Sequence, residues 1–527
     1  MKKYLFILLM IIIPGFSGAQ KKPVAPKPYS AAEVKAAEKE ADTEFKSLNF
    51  NDALLFYERL VATDPTNVTY NHRLGLCYLQ TNIAKHKAVE YLEVASDADA
   101  KLKPRDILFD LAKAYHFDGQ FDSAVETFEA YRVQKSGSVD PKLKFDQWVD
   151  WSNNARQLTS NPVSCSFVNL SKTINSPQAD YRPIIGAADS IVYFSSKRKG
   201  TTGGLTDDLG DSPADIFFFT QNDTARSKAK NAGINVNTEF YEETMFLSMN
   251  GDRMLIYRES PESNGDIYIS DLTGKAWGKP VVAGKDFVTK VLETGASLSP
   301  DGLTLYFAAE TQDSKTGKDI YKCTRTESTS WGKPEKLGGN INTKGDEDMP
   351  SLWHDGKTLF FSSTGHNSMG GLDVFRSVMN DPREGFGKAE NIGYPLNTVY
   401  DDFNVALTCD ATTLYLAAVR DSGVGDYDIY RVSLDKPLVS NPMCWLQGRG
   451  ITAAGTPAKG AFVVVTEKSG GEAVARMEAN ESSGRFDVAL APGTYSVVLK
   501  HPKAGKAETS VTIAPGDKKV VLDLIFP

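Results

Sequence analysis

Between about Asp180 and Leu434 the chain repeats one pattern five times, and no other feature of the sequence limits its fold as strongly. Each copy holds an apolar run with aromatics: Val192-Tyr193-Phe194, Leu255-Ile256-Tyr257, Leu305-Tyr306-Phe307, Leu359-Phe360-Phe361 and Leu414-Tyr415-Leu416. An Asp-apolar-aromatic triplet follows each run, at Asp215, Asp266, Asp319, Asp373 and Asp428, with spacings of 51, 53, 54 and 55 residues. A constant period of this size, filled with short strands and turn residues, predicts a β-propeller with one four-stranded blade per copy. Five blades are expected, with six left open for a degenerate copy.

The turn residues agree. Asn250-Gly251-Asp252, Asp301-Gly302 and Asp355-Gly356 precede three of the apolar runs and supply the positive φ that a tight hairpin requires. Ile234-Asn235-Val236-Asn237-Thr238, Asn340-Ile341-Asn342-Thr343 and Pro395-Leu396-Asn397-Thr398 separate the copies. Trp277-Gly278-Lys279-Pro280, Trp331-Gly332-Lys333-Pro334 and Phe386-Gly387-Lys388 mark outer strands. Residues 163–170 stand before Thr173-Ile174-Asn175 as an outer strand stands before these linkers, so they are expected to complete the last blade and close the ring.

The combination of Ser299-Pro300-Asp301-Gly302, Leu305-Tyr306-Phe307 and Asp319-Ile320-Tyr321 resembles the PD40 repeats of TolB-type propellers. A residue required once per blade is architecture before it is chemistry. The five aspartates are therefore expected to make turn or strand-end hydrogen bonds within their own blades. Glu242-Glu243, Asp346-Glu347-Asp348 and Asp401-Asp402 recur at one blade position and are read the same way, ahead of any glycosidase role.

At 527 residues the chain exceeds what one core holds. With 41% hydrophobic and 24% charged residues and a net charge of −8, it has no basic block for nucleic acid or anionic lipid. Lys2-Lys3, the apolar run Tyr4–Ile13 and Ser17-Gly18-Ala19 form a signal peptide over 1–19, its apolar core well short of the ~20 residues that span a bilayer. The mature protein is thus expected to be exported, without direct membrane insertion. Of the five cysteines, Cys77, Cys165, Cys323, Cys409 and Cys444, none shows metal-ligand spacing. Cys77 fits a helix core, and a Cys165–Cys444 bridge is conceivable because both flank the propeller.

Residues 20–29 are a Pro-rich linker. Over 30–158 the period becomes helical and a second repeat appears: Leu74-Gly75-x-x-Tyr78 returns 37 residues later as Leu111-Ala112-x-x-Tyr115. Ala53, Ala88 and Ala124 are the small packing positions, and Tyr57, Tyr91 and Phe128 the aromatic ones. This is tetratricopeptide (TPR) spacing, with a capping helix over residues 140–158 carrying Trp148 and Trp151. Asn71 and Lys113 are candidate concave-face residues. The insertion from Lys199 to Asp211 reads as a surface loop: Gly200, Gly203 and Gly204 are not followed by a phosphate-loop Lys-Ser/Thr, and Asp207, Asp208 and Asp211 lack calcium-loop spacing. His366 is expected in a solvated loop.

After a linker over 435–443, residues 444–527 alternate strands with Pro/Gly turns and predict a small Ig-like β-sandwich. Gly484-Arg485-Phe486 and Leu490-Ala491-Pro492-Gly493-Thr494-Tyr495 resemble the ending of carboxypeptidase-regulatory-like (transthyretin-type) domains. The propeller is assigned 163–434. No G-x-S-x-G occurs, and the six histidines are scattered, so no catalytic, metal or cofactor site is expected.

Taken in order, TPR-like repeats, PD40 propeller and regulatory-like sandwich resemble the PorE-like envelope proteins of Bacteroidetes over about residues 30–527. That family's lipoprotein cysteine and OmpA-like domain have no counterpart here: Gln20 follows the cleavage site and the chain ends at Pro527. Neither lipid tethering nor peptidoglycan binding is therefore carried over. The resemblance implies a non-enzymatic periplasmic scaffold that binds envelope proteins such as outer-membrane barrels, PorE-like components or the secretion machinery, in type IX secretion, gliding or outer-membrane assembly. A glycan or peptide sensor using the propeller funnel is the alternative.

Overall fold

The structure, a computed structural model, describes residues 26–99, 101–185, 191–206, 212–221, 227–260, 263–274, 276–284, 293–310, 317–325, 330–381, 383–420, 423–471, 473–480 and 483–527. The segment predicted as a signal peptide, Asp207, Asp208 and Asp211 lie outside them.

Seven helices come first: α1 (Val34–Lys46), α2 (Phe50–Thr63), α3 (Val68–Gln80), α4 (Ala88–Ser96), α5 (Ile107–Phe117), α6 (Phe121–Gln134) and α7 (Phe145–Thr159). Asn49 and Asn67 cap α2 and α3 by accepting the N–H groups of Asp52 and Tyr70, which otherwise have no partner inside the helix. Each helix packs on the next, and the small repeat positions explain how closely. Ala53, Ala88, Ala112 and Ala124 are fully buried, and a Cβ added at Gly75 would stand 2.5 Å from Leu92 Cγ. The end of the Pro-rich segment is pinned to α2: Tyr29 N–H donates to Thr63 Oγ1 at 2.8 Å, and the Arg59 guanidinium lies 3.7 Å from the Tyr29 ring centre. Asn71 is not a surface residue. It is 1% exposed, and its Nδ2 donates to the Pro65 and Asn67 carbonyls.

Five antiparallel sheets follow. The first contains Asp180–Ile185, Ile191–Ser196, Asp215–Thr220 and Lys230–Asn231; the second, Glu242–Leu247, Arg253–Ser260, Ser263–Thr273, Ala276–Trp277 and Val281–Val282. The third contains Glu293–Leu298, Thr304–Ala309, Asp319–Thr324 and Glu335–Lys336; the fourth, Glu347–Leu352, Thr358–Ser363, Asp373–Asp381, Gly385–Phe386 and Glu390–Asn391. Ala406–Leu407, Thr413–Ala418 and Asp428–Leu434 make the fifth, whose outer strand is Cys165–Asn169, from before the first sheet. Its register runs from Cys165 opposite Leu434 to Asn169 opposite Tyr430.

Side-chain alternation along each strand joins the sheets into a closed ring. Leu305 and Phe307 pack toward the second sheet with Leu255 and Ile267, while Tyr306 and Ala308 pack toward the fourth with Leu359 and Phe361. Equivalent clusters join sheets one and two, four and five, and five and one, the last through Val192, Phe194, Tyr415 and Ile429. The strands that carry the apolar runs are buried on both faces, which is why the runs are continuously apolar. The outer aromatics reach back one sheet: Trp277 Nε1 donates to Tyr193 Oη at 3.3 Å and Trp331 Nε1 to the Ala283 carbonyl at 3.1 Å.

Antiparallel connections alternate between the two faces of the ring, and each flanking part occupies one face. On one face Trp151 Nε1 and Gln147 Nε2 both donate to the Thr364 carbonyl at 3.1 Å, Asn154 Nδ2 donates to the Ser368 carbonyl, and Phe117 meets Tyr400. Trp148 stays within the helical part, against His116, Phe117 and Phe128. On the opposite face the C-terminal part docks through Asp487 N–H to Asn250 Oδ1 (2.9 Å) and Lys518 to Asp410 (2.5 Å). That part is a three-stranded sheet (Arg485–Leu490, Cys444–Ile451, Lys519–Ile525) against a four-stranded one (Ala473–Glu478, Phe462–Glu467, Gly493–His501, Gly505–Ile513). Phe486, Val463, Val497 and Phe526 are among its core residues. Cys165 and Cys444 are both free thiols, so the conceivable bridge is not formed; Cys165 belongs to the ring and Cys444 to the sandwich core. Cys77 is fully buried among the helices. Among the described residues, no helix is long and apolar enough to cross a membrane.

Candidate functional site

The recurring polar residues make the same contacts from sheet to sheet. Asp215 accepts from Thr202 N–H, Thr202 Oγ1 and Asn231 Nδ2; Asp373 from Met369 N–H and Asn391 Nδ2; Asp428 from Val424 N–H and Asn169 Nδ2; Asp319 from Lys336 Nζ. Each aspartate thus ties the outermost strand of its own sheet to the third strand. In the second sheet Val282 takes the outer-strand position, opposite Tyr268, and Asp266 is half-buried rather than enclosed. Burial pushes the Asp215, Asp373 and Asp428 carboxyls above the usual range.

A second set closes the loops into the inner strands. Glu242 accepts Thr238 N–H and Oγ1 at 2.8 and 2.5 Å, Glu347 accepts Thr343 N–H and Oγ1 at 2.7 and 2.6 Å, and Asp402 takes the same bonds from Thr398. Asp346 and Asp401 accept the N–H groups of Lys318 and Leu372 from the preceding sheet. Gly317 and Gly371, at φ +86° and +60°, are needed there, because a Cβ on either would stand 2.2 Å from those carboxylate oxygens. Arg198, Arg258 and Arg420 donate to the carbonyls of Ile174, Val236 and Pro395, and His366 Nε2 takes that place in the fourth sheet by donating to Ile341 O at 2.9 Å. His366 is therefore not a solvated loop residue. Its half-buried ring lies against Phe361 and Phe375, and burial lowers its pKa.

Two openings are lined by described residues. At the ring axis, Arg182, Tyr241, Glu243, Tyr257, Glu259 and Thr294 line a cavity of about 180 Å³. Arg182, at φ +52°, pairs with Glu243 at 2.5 Å, and Tyr181 Oη donates to Glu243 at 2.5 Å. Lys318 Nζ meets Asp348 at 2.8 Å. Burial would raise the Asp348 pKa, but Lys318 and Arg182 outweigh it and hold the carboxyl below its usual range. Below this mouth the space between Arg182, Met349 and Asn404 shrinks to about 10 Å³, room for roughly one water.

The other opening is a cleft of about 940 Å³ between the helical part and the ring face on which it docks. One wall is the α1–α2 turn and the segment after α3, with Leu48, Asn51, Gln80, Thr81, Asn82 and Ile83; the other includes Gln178, Lys197, Tyr400, Arg420 and Asp426. Asn82 Nδ2 joins the walls by donating to Asp426 at 2.7 Å. Behind it Lys85, buried, donates to the Leu79 carbonyl at 2.6 Å, and burial pulls its ammonium pKa down to about 8. Lys113 lies elsewhere, paired with Asp110 at 3.0 Å beside His72. Sequence reasoning did not find the cleft residues: Asn82 and Asp426 are 344 positions apart and belong to no shared motif.

No protein-family model matches the sequence, and no curated protein matches it. Solved structures similar to parts of the chain include a TolB from Agrobacterium tumefaciens, at 14% identity and TM-score 0.31, covering 63% of this chain and 98% of that one. A TolB from Acinetobacter baumannii matches at 11% identity and TM-score 0.28, covering 70% of each chain. An α-L-arabinofuranosidase from Lactobacillus brevis matches at 10% identity and TM-score 0.34, covering 56% of this chain and 96% of that one.

Proposed function

We propose that this chain is a non-enzymatic scaffold of the cell envelope, exported to the periplasm, that binds other envelope proteins. In this reading residues 30–158 are TPR-like repeats, 163–434 a five-bladed PD40-type propeller and 444–527 a regulatory-like sandwich. The partners are outer-membrane barrels or components of type IX secretion, gliding or outer-membrane assembly, as the resemblance to PorE-like proteins implies. The observation that carries the binding role is the cleft: about 940 Å³, at the upper end of the ~300–1,000 Å³ typical of ligand sites, and built by two parts of the chain that dock on one another. The recurring carboxylates support a non-catalytic reading, because they accept backbone and side-chain donors of the ring itself.

The test is crosslinked affinity purification of the tagged mature protein from its own envelope. Reproducible recovery of the same barrel or secretion components, direct in a purified pairwise assay, is expected; recovery of bait alone overturns the reading. The alternative sensor for glycan or peptide loses its axial version on size, since a mouth of about 180 Å³ falls below the ~300 Å³ at which ligand sites begin.

A further inference from the structure

We infer that the cleft between the helical turns and the ring is a binding site for an extended, net-neutral peptide segment of a partner protein. This rests on the scaffold reading and specifies how one partner is held.

Three observations lead there. The first is the kind of polar group presented. Asn51, Gln80, Asn82 and Gln178 bring carboxamides to the lining, and Asn82 donates its Nδ2 to Asp426. A carboxamide offers donor and acceptor together, which matches the N–H and C=O that an extended backbone presents along each edge. Thr81, 6% exposed, adds a hydroxyl whose oxygen has no partner within the protein. A buried hydroxyl without a partner is destabilising, so a ligand that bonds it removes a cost already present in the fold.

The second is the apolar rim. Leu48 is 67% and Ile83 51% exposed, both on the helical wall, and a peptide lying along the cleft would place apolar side chains over them. An oligosaccharide would instead need free aromatic faces for its C–H surfaces. The rings in this cleft are already engaged, Phe50 against Phe45 and Tyr400 against Phe117. The third is charge. Among the described residues Lys197 and Arg420 share the lining with Asp52 and Asp426, so their formal charges cancel. Neither a basic nor an acidic segment is favoured, and binding should depend little on salt. The site lies at the helix–helix turns, and its lining does not include His72, Asp110 or Lys113.

The experiment uses the full mature chain against a random 12-residue peptide library, with peptidoglycan-derived and neutral oligosaccharides as competing probes. Gln178→Trp and Ile83→Trp fill the cleft from opposite walls at positions not buried in the core; Lys113→Ala serves as the control elsewhere, and unchanged Tm verifies folding. Enriched peptides are expected to be net-neutral and to bind with micromolar Kd. Their affinity should fall at least tenfold in each tryptophan variant, stay unchanged in Lys113→Ala, and vary less than threefold between 50 and 500 mM salt. Absence of enrichment, equal binding by the filled variants, or binding by oligosaccharides in place of peptides overturns the inference. If envelope partners are still recovered equally by wild type and both filled variants, the scaffold reading stands and the cleft site falls. If neither recovers any partner, the scaffold reading falls as well.

Discussion

The Asn397 carboxamide bonds both backbone groups of Val374, accepting its N–H and donating to its C=O, each at 2.8 Å. Asn175, Asn237 and Asn342 do the same to Ile429, Ile216 and Ile320. A side chain thus extends the sheet by one residue pair where the outer strand has ended. Asn397 is fully buried, and the Val374 carbonyl also accepts the Ile392 N–H at 3.2 Å, so truncation leaves the Val374 N–H unpaired in the interior, at about 1–3 kcal/mol. Asn397→Ala should cost about 1–3 kcal/mol, read as a lowered urea midpoint at constant m. Asn397→Asp keeps the acceptor only and should also destabilise. A change below 0.5 kcal/mol in Asn397→Ala would show that water replaces the bond to the Val374 N–H.

Gly75 sets two effects against each other. In an exposed helix interior Gly→Ala gains about 1 kcal/mol in helix propensity. Here the new methyl would stand 2.5 Å from Cγ of Leu92, which is fully buried and cannot swing away. Overpacking costs about 1–3 kcal/mol, so packing wins and Gly75→Ala should lower Tm. Pairing it with Leu92→Ala, which opens the space, should recover part of the loss, and strictly additive effects would rule out the contact.

The ring was legible in the sequence because each blade position repeats: Leu305-Tyr306-Phe307 faces both neighbouring sheets as its four counterparts do, and the Thr173-Ile174-Asn175 linker marked the strand that closes the ring. Helix positions such as Gly75 and Ala124 were legible for the same reason. Single residues were harder. Asn71 looked like a surface amide and is buried, because its carbonyl partners, Pro65 and Asn67, come from a turn whose path the helical period does not encode. His366 looked solvated because its role, filled by arginine in three other sheets, shows only when the sheets are superposed in space. The cleft was not legible at all. It arises from docking two parts of the chain, and docking leaves no periodic trace.

That docking rests on few contacts. Trp151 Nε1 shares the Thr364 carbonyl with Gln147, and Trp151 also packs edge-on against Trp148. Trp151→Phe should remove the hydrogen bond and keep most of the packing; Trp151→Ala removes both. Hydrogen exchange should quicken modestly in the first variant and strongly in the second, at residues 364–368 and at Asn82. The ring strands around Phe307 should keep their protection. Faster exchange throughout the ring would instead mean that the helical part is needed for the ring to fold.

Asp402 gives a pH dependence with a definite sign. It is 2% exposed, and burial pushes its pKa from the ordinary 3.8 up to about 7, against the opposing effects of the Thr398 bonds and the Arg420 charge, with Asp401 adding to the rise and Asp373 nearby. A carboxyl raised in the fold binds its proton more tightly folded than unfolded. Between about pH 4 and pH 7 the folded state therefore holds the extra proton, and stability falls as pH rises through this window. Below about pH 4 the cost is absent; above about pH 7 it is complete, at a ceiling of about 4 kcal/mol for a shift of roughly three units. Asp402→Asn keeps an oxygen to accept from Thr398 and carries no charge to desolvate. Its stability relative to wild type should be near zero at pH 4, grow across the window and reach its maximum by pH 8, measured by urea unfolding at each pH. A gap of equal size at pH 4 and pH 8 would place the effect in packing and not in ionisation. A gap of opposite sign would mean that Arg420 holds the carboxylate charged in the fold.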